Sequence, residues 1–262
     1  MNMPAPISQD KEAKLGFRFR QFFVRHDHSS MKVGTDGVLL GAWAPICSEN
    51  SEDSVNSEFR ILDIGTGSGL IALMLAQRTS SLPVVQIDAI DIDNASCEQA
   101  RDNFAASPWA DRLHAAHSSL QQWLQANGRC YDLIVSNPPY FVDSLKAPDA
   151  ARCAARHNDT LPFATLIADS ARKLKPKGTL AVIVPTEAED TLQALAAAEG
   201  LLCTCRCYVH PKPGRPAKRV LLAWQQGASA IFGGELTEHL TLEDEHGGRS
   251  TAYQQLTRDF YL

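Results

Sequence analysis

Long hydrophobic runs are missing from this sequence. No stretch of its 262 residues reaches the ~18–20 consecutive apolar residues that a membrane-spanning helix needs. The first sixteen residues, MNMPAPISQDKEAKLG, contain neither a hydrophobic segment nor a small-residue cleavage site, so they do not read as a secretion signal. Aromatic residues are few, at 7%, and no glycine- or proline-dominated repeat occurs, which excludes collagen-like and low-complexity chains. Neither sign of charge dominates. Lys and Arg total 25 against 30 Asp and Glu, a net −5, whereas a bulk nucleic-acid coat protein would be basic. Cysteine is present but does not suggest a disulfide framework, because the total of seven is odd. Cys203, Cys205 and Cys207 alternate, which on a strand puts all three on one face, too strained in neighbouring pairs to bridge. Only His210 lies close by, so zinc-like ligand spacing is lacking and the three are expected as small buried hydrophobes with no metal. These absences imply a cytoplasmic protein with no membrane partner.

What is present is an ordinary globular composition, 44% hydrophobic and 21% charged. A chain of this length buries roughly 70–75% of its unfolded surface without staples. An acidic stretch at 47–58 (CSENSEDSVNSE) has the character of a surface loop. It divides a tail (1–16) and an N-terminal segment (17–46) from a main body (59–262). In that body apolar runs alternate with amphipathic ones. Strands are expected at 59–64, 84–90, 112–117, 131–136 and 178–184, with helices at 68–78, 94–106, 161–174 and 187–198. Residues 201–209 and 219–225 are spaced to pair as a hairpin-like unit. This alternation implies βαβ units and a mostly parallel α/β sheet with helices on both faces. Ligands of such sheets bind beyond the carboxyl ends of the strands.

The loop after the first of these strands reads Asp63-Ile64-Gly65-Thr66-Gly67-Ser68-Gly69-Leu70. Three alternating glycines let the backbone turn sharply and pass close to a ligand ahead of a helix N-terminus. A dinucleotide fingerprint would need glycine where Leu70 stands, and it does not ordinarily place an acid where Asp63 stands. A carboxylate there suits a ligand with positive charge. The pattern D-x-G-x-G-x-G resembles the cofactor loop of class I S-adenosyl-L-methionine-dependent methyltransferases. Asp91 ends the second strand, 26 positions after Gly65, where an acid reaches a ribose diol. Ile92 is placed to pack on an adenine ring, and Asp93 to cap the next helix.

Asn137-Pro138-Pro139-Tyr140 follows the fourth strand, 74 residues after Asp63. The prolines fix φ and hold one shape, presenting the Asn137 amide and nearby carbonyls as acceptors with few local donors. Acceptors so arranged suit a planar amino group that must release its lone pair to a methyl, and Tyr140 offers a face on which a base stacks. The turn resembles the N-P-P-Y motif of methyltransferases acting on exocyclic or amide nitrogen. Adenine N6, guanine N2 and a glutamine amide all fit it.

The segments on either side narrow the choice. FRFRQFFVRHD (17–27) and MKVGTDGVLLGAW (31–43) resemble the start of the bacterial tRNA1(Val) (adenine-37-N6)-methyltransferase family. The likeness continues through LDIGTGSGLIALMLAQR, SPW (107–109), QQW (121–123), SNPPY, RVLLA (219–223) and RDFYL (258–262). It implies a Rossmann-like class I methyltransferase fold with a seven-stranded sheet, its last strand antiparallel, and an N-terminal segment folded over the cofactor. It also implies methyl transfer to adenine N6 beside the anticodon of a valine tRNA, not to DNA. Carried over by position, Asp63, Gly65, Gly67 and Asp91 bind cofactor, joined by Thr35 and Asp36; Gly69 of the loop and Ile92 are further candidate cofactor contacts. Asn137, Pro138 and Tyr140 hold the adenine. One departure is Ser119, standing where many members carry an acid against the cofactor's adenine amino group; a neutral acceptor makes about half the hydrogen bond of a charged one. Candidate RNA contacts are Arg152, Arg156, Lys212, Arg215, Lys218 and Arg219, the last four in a stretch (206–219) with no acids.

A glutamine-amide methyltransferase usually carries a helical domain ahead of the core, and here only about forty residues of aromatic and β-type character precede it. A guanine-N2 enzyme shares the turn. A non-catalytic cofactor- or RNA-binding module would have no use for paired acceptors aimed at an amine.

Overall fold

The computed structural model describes residues 15–27, 32–46, 58–139, 161–227 and 235–261. A small antiparallel pair, β1 (Gly16–Arg18) and β2 (Phe23–Arg25), opens the chain and leads into α1 (Thr35–Trp43). The main body then runs β3 (Phe59–Ile64), α2 (Leu70–Arg78), β4 (Val85–Asp91), α3 (Asn94–Ala105), β5 (Leu113–His117), α4 (Leu120–Ala126) and β6 (Tyr131–Ser136). It continues with α5 (Phe163–Lys173), β7 (Leu174–Pro185), α6 (Glu189–Ala198), β8 (Leu201–His210), β9 (Arg219–Gln226), β10 (Leu236–Thr241) and α7 (Thr251–Thr257).

The large sheet has the order β10-β8-β9-β7-β6-β3-β4-β5. Only β9 is antiparallel to its neighbours, inserted between β7 and β8. The strands are apolar at nearly every position because both faces are covered. Ile61, Ile87, Leu133, Val135 and Ile183 pack with α1, α2 and α3, while Leu62, Ile64, Ile134, Leu180 and Val182 pack with α5 and α6.

The sheet corrects two expectations. It has eight strands among the described residues, not seven, because β10 adds to the edge alongside β8. Of its six residues only Leu240 is buried, so it is held by backbone pairing and leaves no apolar pattern to read. The cysteines do not share a face. A bulge between Cys203 and Cys205 pairs Cys203 with Trp224 but Cys205 with Ala223, sending Cys203 to the opposite side from Cys205 and Cys207. An inserted residue reverses the alternation, and nothing in CTCRC announces it. Elsewhere in the sheet, Lys175 lies in β7, where its ammonium meets Asp132 at 2.7 Å. All three cysteines are free thiols.

The N-terminal residues are part of the main core. Phe19 is fully buried, stacked on Phe22 at 4.7 Å and against Tyr261 at 5.9 Å. The Arg20 amide donates to the Phe260 carbonyl at 2.8 Å, so the segment around Phe19 meets the segment around Phe260. Arg78, at the end of α2, donates to the Gly41 and Ala44 carbonyls at 3.0 and 2.8 Å and so ties the last turn of α1 down. Burial pulls that guanidinium down to about 10, which marks how enclosed the tie is. No helix among the described residues is long and apolar enough to cross a membrane.

Truncating Phe19 removes the ring on which this junction packs. Phe19→Ala is expected to cost about 3–5 kcal/mol in urea unfolding, in line with other buried aromatic truncations. A loss below about 1 kcal/mol would show that the N-terminal segment is not built into the core.

Candidate active site

The site begins where β3 leaves the sheet. The amides of Gly65 and Thr66 both donate to the Ile90 carbonyl, at 2.9 and 3.0 Å, so the chain lifts off between β3 and β4. Gly65, Gly67 and Gly69 take φ values of +73°, +55° and +84°, in the left-handed region where side chains are strained. A Cβ on Gly65 would meet no atom within 4 Å, because that position faces an open cleft. A Cβ on Gly69 would instead stand 2.5 Å from the Phe104 ring, a packing demand from α3.

Asp63 holds this loop from below. Its side chain is fully buried, and one oxygen, Oδ2, accepts from Thr66 Oγ1 at 2.7 Å and from the Ala72 amide at 3.2 Å. Ala72 is the third residue of α2, whose N-cap Gly69 has no side chain, so Asp63 supplies the cap from the preceding strand. Its other oxygen, Oδ1, has no hydrogen-bond partner. Buried oxygens are seldom left so, and a carboxylate here costs desolvation that only a donor or positive charge offsets. Burial, with the nearby Asp91 charge adding to it, pushes the Asp63 carboxyl up to about 7 against the pull of its two hydrogen bonds.

Asp91 fastens the loop from β4. Its two oxygens accept from the Gly67 amide at 2.8 Å and the Asp93 amide at 2.9 Å, and partial burial pushes its carboxyl up. Asp93 is the N-cap of α3, accepting from the Ser96 amide at 3.0 Å, and Ser96 holds it below the usual carboxylate range. Ile92 stands between them with 53% of its surface exposed, an apolar side chain presented to solvent. Ser119, at the end of β5, is the N-cap of α4. Its hydroxyl accepts from the Gln122 amide at 3.2 Å in a reciprocal capping box.

The proline turn stands on the other side of the loop. Ser136 Oγ donates to the Ile64 carbonyl at 2.9 Å, locking the end of β6 to the end of β3. Asn137, Pro138 and Pro139 therefore line the same cleft as Gly65, Thr66 and Gly67. The cleft measures about 590 Å³, and its third wall is the start of α1, with Thr35, Asp36 and Gly37. Arg219 closes the ring of residues. Its Nε donates to Asp36 Oδ2 at 2.8 Å across 183 positions of sequence. Arg219 was expected at an RNA-facing loop; the structure places it in the cleft wall, and only the fold brings it to Asp36. Asp91, Ile92 and Ser119 lie beyond this cleft along the ends of β4 and β5. Lys212 pairs with Glu243 at 2.9 Å, while Arg215 and Lys218 are exposed. Tyr140, Arg152 and Arg156 lie outside the described residues. Among the described residues no group of three His, Cys, Asp or Glu is placed to hold a metal.

An Asp63 carboxyl near 7, against an ordinary value of 3.8, gives a signed prediction. The folded chain keeps a proton that the unfolded chain releases, so Asp63 favours folding below pH ~4 and that contribution is lost as pH rises through ~7. Both protein hydrogen bonds fall on one oxygen, so Asp63→Asn can keep them. The ligand-free wild type should lose unfolding free energy between pH 4 and 7 relative to Asp63→Asn, read by urea titration at each pH. Parallel profiles would contradict the burial.

The methyltransferase small domain family model matches residues 51–201. A tRNA1(Val) (adenine(37)-N6)-methyltransferase of Parabacteroides distasonis is 45% identical over 94% of this chain and 97% of its own. Among solved structures, a predicted O-methyltransferase from Agrobacterium tumefaciens superposes with a TM-score of 0.62 at 18% identity, covering 86% of this chain and 96% of that one. A putative class I S-adenosylmethionine-dependent methyltransferase from Listeria monocytogenes gives a TM-score of 0.52 at 16% identity, over 78% and 62% of the two chains. The chain belongs to the tRNA1(Val) (adenine(37)-N6)-methyltransferase family of class I S-adenosylmethionine-dependent methyltransferases.

Proposed function

We propose that this chain transfers the methyl group of S-adenosyl-L-methionine to N6 of adenine 37, beside the anticodon of a valine tRNA, in the cytoplasm. The observation that carries the reading is one cleft shared by the glycine loop and the Asn137-Pro138-Pro139 turn. The first is suited to a cofactor and the second to an amine. When bound, the cofactor supplies a sulfonium methyl that is already electrophilic, so the protein's task is chiefly positioning.

The residues present fit that cofactor. The orphaned Oδ1 of Asp63 lies beneath a loop whose Gly65 leaves the cleft open, and a cationic ligand there favours the ionised carboxylate. Thr35 and Asp36 cover the cleft from α1, held by Arg219. Asp91 takes the ribose hydroxyls while keeping the Gly67 amide, and Ile92 offers its exposed face to the adenine ring. Ser119 contributes a hydroxyl at the far end, shared with its capping role. For the substrate, the Asn137 side-chain oxygen and the Pro138 carbonyl accept from the exocyclic amine and draw its nitrogen toward sp³ character. Prolines at 138 and 139 provide no amide donor to compete. The methylated nitrogen is acidic, so no strong base is required. The base must first be turned out of its stack, and Tyr140 is assigned the face that receives it.

Transfer from labelled S-adenosylmethionine to total tRNA lacking this modification, followed by nuclease digestion, tests the reading. Label in N6-methyladenosine confined to valine tRNA is the expected result, and label in guanosine or protein would overturn the substrate. Asn137→Ala should lower turnover by about 10²-fold or more while cofactor affinity stays near wild type, since it loses an acceptor aimed at the reacting amine. Asp91→Ala should instead weaken cofactor binding.

A further inference from the structure

The eighth strand builds a surface that the methyl transfer itself does not use. β10 lies parallel to β8 with His239 opposite Tyr208 and Thr241 opposite His210. The His239 ring is stacked with Tyr208 at 5.4 Å and 27° and tilted against His210 at 5.3 Å and 32°, forming a row of three rings. The row is fixed at several points. Tyr208 donates its hydroxyl to Glu189 Oε1 at 3.0 Å. His210 Nδ1 lies 2.8 Å from the Arg215 carbonyl, which can only accept, so this nitrogen carries the hydrogen. His210 Nε2 and His239 Nδ1 are 3.0 Å apart, one donating to the other. His239 is exposed, with Tyr208 and His210 half-buried beside it.

This row is continuous with the cleft. Val209 pairs with Arg219, the cleft-wall arginine, and the Lys218 amide donates to the Val209 carbonyl at 2.9 Å. His210 is the next residue. The loop that follows it carries Lys212, Arg215 and Lys218 and no acid. Lys212 is engaged by Glu243, but the side chains of Arg215 and Lys218 make no ion pair among the described residues. Among the described residues no third ligand joins the two histidines to hold a metal.

We infer that Tyr208, His239 and His210, with Arg215 and Lys218 at their border, form a docking surface for the unpaired bases of an RNA loop whose target adenine enters the cleft. Flat rings accept bases of any identity once these are splayed from a helix, and the two cations meet the phosphates between them. The inference rests on the reading of the chain as a tRNA methyltransferase.

The test is steady-state methylation of tRNA by the full chain, with direct binding of an anticodon stem-loop RNA by fluorescence anisotropy. His239→Ala should raise KM for tRNA and the stem-loop Kd by about tenfold, the loss of one stacking contact, and leave kcat unchanged. His239→Phe should restore most of the affinity. The salt dependence of binding should stay the same in both ring variants and flatten by somewhat under one log unit per log salt in Arg215→Ala. Wild-type KM and Kd in His239→Ala, with an unchanged melting temperature, would overturn the surface while leaving the reaction intact. Weakened stem-loop binding in His239→Ala by a chain that transfers no methyl to tRNA would keep the surface and overturn the reaction.

Discussion

The burial of one carboxylate organises this site. Asp63 ends a strand with both faces covered, and one of its oxygens must serve the Thr66 hydroxyl and the Ala72 amide together. That arrangement fixes the exit of β3, the turn of the glycine loop and the first turn of α2 as one unit. Neighbouring strands secure the unit from either side, Asp91 through the Gly67 amide and Ser136 through the Ile64 carbonyl. The second oxygen is left without a partner. A protein interior disfavours charge on such a group, and burial accordingly pushes the Asp63 carboxyl up to about 7.

Around that unit the walls come from distant parts of the chain. The start of α1 reaches the cleft because its last turn is tied to α2 by Arg78 and because Phe19 packs against Tyr261 near the other end of the chain. Arg219, at the first position of β9, completes the wall through Asp36. The antiparallel insertion of β9 between β7 and β8 is what delivers Arg219 to the carboxyl edge of a sheet whose other strands all run the opposite way. A cofactor held here is enclosed by elements on both sides of the acidic stretch at 47–58.

Much of this was legible in the sequence because buried parallel strands leave little ambiguity. The runs at 59–64 and 131–136 coincide with β3 and β6, since all but the second position of each is buried. The alternating glycines were legible because positive φ is a local demand that few other residues meet, and all three adopt it. What escaped was decided by geometry that no local pattern encodes. β10 is a polar edge strand; the bulge at Cys203 is a backbone event; and Arg219 finds Asp36 only after folding. Ser119 shows a further limit, since the same hydroxyl suits a ligand and a helix cap, and its spacing to Gln122 favoured the cap.

The most direct test of the account is the proton balance of cofactor binding. Calorimetric titration of the chain with S-adenosylmethionine, at pH 6.5 in buffers of differing ionisation enthalpy, reads how many protons leave the protein. With the Asp63 carboxyl near 7, the account predicts release of a substantial fraction of a proton from wild type and none from Asp63→Asn. Binding heats independent of buffer in the wild type would show that Asp63 is already ionised before the ligand arrives, contradicting the central role given to its burial.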